Sequence, residues 1–170
     1  VENCIENRII HLNDETALIG CMGWYDYSFA LPKLDDFVMK SRKKQFSDHQ
    51  YVNWKYSDKE FFDIQINNLN NLLNSEELRN KNVLVSMHYV PFSDFIHYSN
   101  LNDDWNIVNG FFGGYELGKT ILKYKNVKLV HFGHTHKHKM DSYGDLQLVC
   151  KPFGYHFEWA VDDIDKQLEL

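Results

Sequence analysis

The chain has 170 residues, of which 44% are hydrophobic and 15% aromatic, and this composition excludes a disordered chain. Its formal net charge of −6 argues against a general surface for nucleic acid or anionic membrane. The three cysteines, Cys4, Cys21 and Cys150, show no CxxC pattern, and neither a membrane span nor a signal peptide is recognisable. We therefore expect a single cytoplasmic domain over residues 1–170, with reduced thiols and no membrane partner.

Two short apolar runs near the start, residues 8–12 and 17–22, are separated by the turn formers Asn-Asp-Glu-Thr. This pattern predicts an antiparallel hairpin. The hairpin leads into an aromatic loop, residues 23–29, in which Trp24 and Asp26 are candidates for contact with a substrate. A role for Asp26 in capping a turn is the alternative.

Residues 33–56 carry more charge and less periodicity than their surroundings. We interpret them as an insertion or lid over the mouth of an active site. The basic run Lys40–Lys44 is typical of a solvated helix face. Because aromatic residues are interleaved with the basic ones, contact with nucleic acid is the alternative.

A long amphipathic helix is predicted to begin at Ser57. Ser57 and Glu60 have the spacing of a capping box, in which each side chain accepts a hydrogen bond from the other residue's backbone N–H. Apolar residues then recur at helical spacing and predict a stripe that packs on a sheet. The stripe consists of Phe62, Ile66, Leu69 and Leu73.

A strand, a helix and a second strand follow in order. The apolar strand in residues 82–89 must end near His88, because Pro91 cannot continue a hydrogen-bonded ladder. A helix with an apolar stripe around Leu117 comes next, and another apolar strand begins at Val127. This order predicts a right-handed β-α-β unit with the carboxyl ends of both strands at one edge.

The second strand runs into the loop Gly133-His134-Thr135-His136. Gly133 has no side chain that would block a bound ion, and the loop brings two imidazoles onto one tight arc of backbone. His88 ends the neighbouring strand, so we expect it to converge with His134 and His136 as metal ligands. A polar surface loop with incidental histidines is the alternative. His131 shares a strand face with apolar residues, and we expect a structural role for it.

Alternating apolar residues predict two more strands, over residues 146–150 and 155–161, joined at Lys151–Gly154. The remaining tail is expected to be a surface strand or a frayed end.

The motif His88-x-x-Pro91, a following helix and the motif Gly133-His134-Thr135-His136, in that order, resemble the calcineurin-like metallophosphoesterases. The resemblance covers the C-terminal half of that domain. It implies an α/β fold in which this chain is the C-terminal half of an α/β/β/α sandwich, a mixed sheet with flanking helices. It also implies hydrolysis of phosphomonoesters or phosphodiesters at two divalent ions, which would be Mn, Fe, Zn or Co. By position, His88 and His134 resemble ligands of the second metal and His136 a ligand of the first.

The earlier motifs of that family, D-x-H, G-D-x-x-D and G-N-H-[DE], do not occur in this sequence. Two ions about 3.5–4 Å apart need an anionic bridge, which three neutral imidazoles cannot supply. The resemblance therefore implies half a site, with no catalytic residue in this chain and a general acid upstream of Val1. The missing half would be the N-terminal half of the domain or a second copy, and the substrate a small phosphate ester.

The leading hypothesis is thus a metal-dependent phosphoesterase of which this chain supplies the His-rich half. The alternative is a non-catalytic module that binds a divalent metal, and a nucleic-acid binder that uses residues 40–54 is the weakest hypothesis. Half of a two-sheet core would expose apolar surface, so we expect the isolated chain to self-associate or to be poorly soluble.

Overall fold

The structure, a computed structural model, describes residues 4–155. The strands are β1 (Ile9–His11), β2 (Thr16–Cys21), β3 (Asn82–Met87), β4 (Val127–Phe132), β5 (Lys139–Tyr143) and β6 (Leu146–Cys150). The helices are α1 (Asp36–Lys43), α2 (Ser47–Tyr51), α3 (Asp58–Leu73), α4 (Asp103–Val108) and α5 (Tyr115–Leu122). Short 3-10 turns cover Glu76–Leu78, Ser93–Phe95 and Asn109–Phe111. None of the helices within residues 4–155 has the length and apolar character needed to cross a membrane.

The strands form one mixed sheet in the order β1-β2-β3-β4-β6-β5. The central strands β2, β3, β4 and β6 run parallel, and β1 and β5 close the two edges in antiparallel hairpins. The helices α3 and α5 pack against each other, and α3 packs against β2. This arrangement confirms the α/β class with a mixed sheet and flanking helices, including the predicted hairpin and the β-α-β unit formed by β3, α5 and β4.

The helix α3 begins and packs as its sequence predicts. The Ser57 hydroxyl accepts the Glu60 backbone N–H at 3.3 Å, and the Glu60 carboxylate accepts the Ser57 backbone N–H at 2.7 Å, which completes the capping box. Phe62, Leu69 and Leu73 are buried in the core, which includes the central strands. The apolar stripe therefore anchors α3 to one face of the sheet.

One segment differs from expectation, and another lies almost entirely outside the described residues. The strand β5 was not predicted, because its sequence KMDSY has no apolar alternation and four of its five residues are exposed. Pairing with β6 through the Gly144 turn makes this segment a strand, which is a tertiary effect. The predicted strand over residues 155–161 lies outside the described residues from residue 156 onward, so it stays a prediction.

Residues 33–56 contain α1 and α2. The buried carboxylate of Asp58 connects this segment to the aromatic loop. Asp58 is 5% exposed and accepts hydrogen bonds from Trp24 Nε1 at 3.0 Å and from the Tyr27 hydroxyl. Lys43, the last residue of α1, completes the set with its Nζ 2.5 Å from Asp58 Oδ1. This ion pair joins the α1–α2 segment to the start of α3, while its proposed role as a lid stays a prediction.

We expect Lys43→Met to lower the free energy of unfolding by roughly 3 kcal/mol, because removing one partner of a buried ion pair leaves the other charge uncompensated. Urea denaturation followed by circular dichroism measures this loss. The matched control is Lys59→Met, which removes the exposed ion pair with Asp36 and should cost at most about 1 kcal/mol. Equal losses in the two variants would contradict the structural role of the Asp58 cluster.

Candidate metal centre

The loops that follow β3 and β4 meet at the carboxyl edge of the sheet. The parallel register sets Ser86 beside His131, so the two strands end at nearly the same level. Beyond the strands, the Gly133 backbone N–H donates to the His88 carbonyl at 3.2 Å. The two histidine-bearing loops are therefore joined by the backbone itself, before any side chain contributes.

The second loop turns sharply. The Thr135 backbone N–H donates to the Gly133 carbonyl at 2.9 Å, and both histidines of the loop have left-handed backbone conformations, with φ of 68° at His134 and 53° at His136. Such angles are uncommon outside glycine, and conformations of this kind concentrate at binding sites. The left-handed backbone at both positions sets the directions in which the two histidine side chains leave the loop.

His88 and His134 converge. His134 Nδ1 lies 2.9 Å from His88 Nε2, and the two rings are nearly perpendicular, with centroids 4.8 Å apart. That separation fits an N–H···N hydrogen bond, and it is shorter than the roughly 3.3 Å between two nitrogens that each lie about 2.0–2.1 Å from a tetrahedral zinc ion. Tyr89 and Phe112 pack against the His134 ring with centroid distances of 4.6 and 5.2 Å, which fixes its orientation.

Both imidazoles favour the neutral form. Burial lowers the pKa of His134 to about 3, and the nearby His88 and His136 lower it as well. Burial also lowers the pKa of His88, although the Asp48 carboxylate opposes this shift. A neutral imidazole keeps the lone pair that binds a metal, so the pair is in the correct protonation state at neutral pH.

The surroundings of His134 also suit a metal ligand. The Phe111 backbone interacts with its ring and opposes the fall in the pKa of His134. A metal-ligating histidine usually has such a second contact, because a hydrogen bond at the other ring nitrogen orients the imidazole. The two imidazole donors of the His88–His134 pair therefore fit one borderline ion such as zinc.

His136 lines the same cavity but does not complete a three-ligand cluster. Its ring packs against Tyr155 with a centroid distance of 4.6 Å. Among residues 4–155, no three His, Cys, Asp or Glu side chains are arranged to hold a metal ion. The structure thus brings His88 and His134 together as a pair and places His136 in the adjacent wall of the cavity.

The cavity has a volume of about 800 Å³, which is within the usual range for small-molecule sites. Its wall includes the three predicted histidines and the side chains of Glu6, Asp48 and Lys151. Burial raises the pKa of the Glu6 carboxyl. Acidic and basic groups therefore share the wall with the imidazole pair.

Asp48 is one of the cavity residues that sequence reasoning missed. It lies on α2, and its Oδ2 accepts a hydrogen bond from the buried Tyr25 hydroxyl at 3.1 Å. In the sequence, Asp48 precedes His49 within a polar stretch of no recognisable motif. Only the packing of α1 and α2 onto the aromatic loop brings this carboxylate to the cavity, so no local pattern could have indicated it.

Trp24 and Asp26 lie away from this cavity. Trp24 is 3% exposed and packs among aromatic rings with its Nε1 on Asp58. Asp26 Oδ1 accepts the Ser28 backbone N–H at 2.9 Å and faces a separate pocket beside Asp63. The structure thus gives Trp24 a core position and Asp26 a turn-capping contact, and substrate contact by either stays a prediction.

The sequence predicts one strand face for Val127, Leu129 and His131, but the structure places Val127 on the opposite face. The structural role expected for His131 stays a prediction. His131 is exposed, and it lines the cavity from the sheet face opposite the core. The register explains the difference: a bulge between Val83 and Leu84 shifts the pairing of β3 with β4. Val127 is therefore buried, whereas Leu129 and His131 lie on the other face.

No protein-family model and no curated protein matches the chain. A solved structure is similar in fold, the crystal structure of phosphopantetheinyl hydrolase (PptH) from Mycobacterium tuberculosis, with a TM-score of 0.66 and 13% sequence identity. The similarity covers 89% of this chain and 55% of that chain, so the chain spans about half the length of that hydrolase. At this identity the similarity shows the fold alone.

We expect Asp48→Asn to lower the pKa of His88 further, because the Asp48 carboxylate is the group that favours the charged imidazole. An NMR titration of the histidine ring nitrogens in metal-free buffer measures the change. The control is Asp104→Asn, which removes an exposed carboxylate paired with Arg42 and should leave the His88 titration unchanged. An unaltered His88 titration in Asp48→Asn would contradict the placement of α2 at the cavity.

Proposed function

We propose that this chain supplies the His-rich half of a metal-dependent phosphoesterase that hydrolyses small phosphomonoesters or phosphodiesters. The observation that carries the proposal is the 2.9 Å approach of His88 Nε2 to His134 Nδ1 at the carboxyl edge of two parallel strands. Ligands commonly bind at this edge in open α/β sheets. The similar fold of a protein named a phosphopantetheinyl hydrolase supports hydrolysis as the class of reaction.

In this proposal His88 and His134 hold one divalent ion, and His136 is directed to a second ion. Mixed imidazole and carboxylate ligation suits Mn, Fe, Zn or Co, and the ions would polarise the phosphoryl group and lower the pKa of bound water. The contribution of this chain is to hold neutral imidazoles in fixed positions and to form a wall of the substrate cavity. Lys151 in that wall would favour an anionic phosphate ester.

The site needs groups that residues 4–155 do not assemble. Two ions about 3.5–4 Å apart require a bridging anion, and none of the described carboxylates joins the histidine pair in a metal-binding cluster. We therefore expect the bridging carboxylate and the general acid to come from the other half of the phosphoesterase domain or from a second copy.

A second candidate function is a module that binds one divalent metal without catalysis. The observation in its favour is that the described residues bring together only a pair of ligands. The number of bound ions and the presence of turnover distinguish the two functions. Once the missing half of the site is supplied, one ion without turnover favours the module, whereas two ions with turnover favour the enzyme.

Metal binding is tested by calorimetric titration of the chain with Zn²⁺ or Mn²⁺. We expect His134→Asn to weaken binding by at least roughly 10–100-fold, because it removes one imidazole of the pair. Asparagine is chosen because it tolerates the left-handed backbone at this position. The control is His97→Asn, which alters an exposed histidine outside the cavity and should leave the affinity unchanged. Equal affinity in the wild type and His134→Asn would contradict the metal centre.

Catalysis is tested with Mn²⁺-dependent hydrolysis of bis(p-nitrophenyl) phosphate, with His136→Asn in parallel. Turnover that is lost in His136→Asn would show that the chain assembles a complete site, against our half-site proposal. Metal binding without turnover is the result that we expect for the chain alone.

A further inference from the structure

The histidine pair offers a cation two nitrogen donors but no negative charge. Burial favours the neutral form of both His88 and His134. A divalent ion on two neutral imidazoles keeps its full positive charge, and a carboxylate near it would stabilise it by Coulomb attraction. An anionic group in the cavity wall would therefore strengthen the binding of a cation.

The part of the cavity wall that residues 4–155 form contains two carboxyl groups, those of Glu6 and Asp48. Glu6 forms a β-bridge with Gly20 of β2, and β3 separates β2 from the strand that precedes His134. Burial also raises the pKa of the Glu6 carboxyl, which favours its uncharged form. Glu6 is therefore poorly suited to balance the charge of a cation at His134.

Asp48 is connected to the imidazole pair through two tyrosine rings. Its Oδ2 accepts a hydrogen bond from the Tyr25 hydroxyl at 3.1 Å, and the Tyr25 ring lies edge-on to the Tyr89 ring with centroids 5.6 Å apart. The Tyr89 ring packs in turn against His88 and His134, with centroid distances of 5.0 and 4.6 Å. The Asp48 charge also opposes the fall in the pKa of His88. The carboxylate and the histidine pair thus belong to one packed wall of the cavity.

The Asp48 carboxylate is held in this position and keeps its charge there. Burial raises the pKa of the Tyr25 hydroxyl, so this group stays neutral and its hydrogen bond does not cancel the negative charge. Two contacts fix the segment that carries α2: the Phe46 ring lies 4.6 Å from the Phe111 ring, and Lys43 forms its buried ion pair. The charge is therefore in place before a cation binds, which avoids a cost of ordering.

We propose that Asp48 balances the charge of a divalent cation bound by His88 and His134, without being a direct ligand. The inference rests on the proposed function, because it assigns a role at the same metal centre. Within residues 4–155, no three His, Cys, Asp or Glu side chains are arranged to hold one ion, so the carboxylate acts through space or through a water. The segment of residues 33–56 thereby contributes to metal affinity.

The test is calorimetric titration of the 170-residue chain with Zn²⁺ at low ionic strength, for the wild type and Asp48→Asn. Low ionic strength is used because salt screens the attraction between separated charges. The carbonyl oxygen of asparagine can still accept the Tyr25 hydrogen bond, so the substitution removes the charge and keeps the contact. We expect Asp48→Asn to weaken binding at least roughly tenfold, the lower end of the usual effect of groups outside the direct ligands.

Two variants that remove a different carboxylate are the matched controls. Glu6→Gln neutralises the other carboxyl group of the cavity, and Asp104→Asn removes an exposed charge that pairs with Arg42. The affinity of each control should stay within about threefold of the wild type, because the charge removed is distant from the pair or screened. A loss in either control equal to that in Asp48→Asn would overturn the proposal, because the effect would then not be specific to Asp48.

Two further variants distinguish a role of the charge from a purely structural role. Asp48→Glu keeps the charge on a longer side chain, and its affinity should stay within about threefold of the wild type. Asp48→Ser also removes the charge and should show the same loss as Asp48→Asn, so the result does not depend on the folding of one variant. A loss in Asp48→Glu as large as that in Asp48→Asn would mean that shape and not charge is required, against the proposal.

Failure of this inference is distinguishable from failure of the proposed function. If Asp48→Asn binds Zn²⁺ as tightly as the wild type while His134→Asn loses affinity, the role of Asp48 is overturned and the metal centre stands. If the wild type binds no Zn²⁺, both are overturned.

Discussion

The parallel pairing of β3 with β4 is the constraint on which the rest of the structure depends. It ends two strands at one level, and the hydrogen bond from the Gly133 backbone to the His88 carbonyl extends the pairing into the loops. The imidazoles of His88 and His134 meet because their backbones are already joined. The candidate centre is therefore a product of strand register, and a shift of one residue would separate the two nitrogens.

A buried carboxylate organises the other side of the cavity. Asp58 gathers Trp24, Tyr27 and Lys43, and in doing so it fixes the segment that carries α2. The aromatic loop, which sequence patterning assigned to substrate contact, thus contributes to the core that supports the cavity wall. Lys43 and Asp58, two charged residues from a polar part of the sequence, thus form an ion pair in the protein interior.

The sequence correctly predicted the structural features that depend on local residue patterns. The capping box at Ser57, the hairpin of β1 with β2 and the order of β3, α5 and β4 follow from turn residues and apolar periodicity. The convergence of His88 with His134 follows from that order. Asp48 could not be predicted, because its position depends on how α1 and α2 pack. The exposure of His131 depends on a β-bulge that no residue type in the sequence indicates. The segment β5 is a strand only because it pairs with β6.

The two edge strands of the sheet limit how other molecules can add to it. The strand β1 has three residues, and β5 carries both Lys139 and Asp141, which lie 3.6 Å apart as an ion pair. Short or charged edge strands resist the addition of further strands from other molecules. Growth of the sheet into a continuous ribbon is thereby discouraged at both ends.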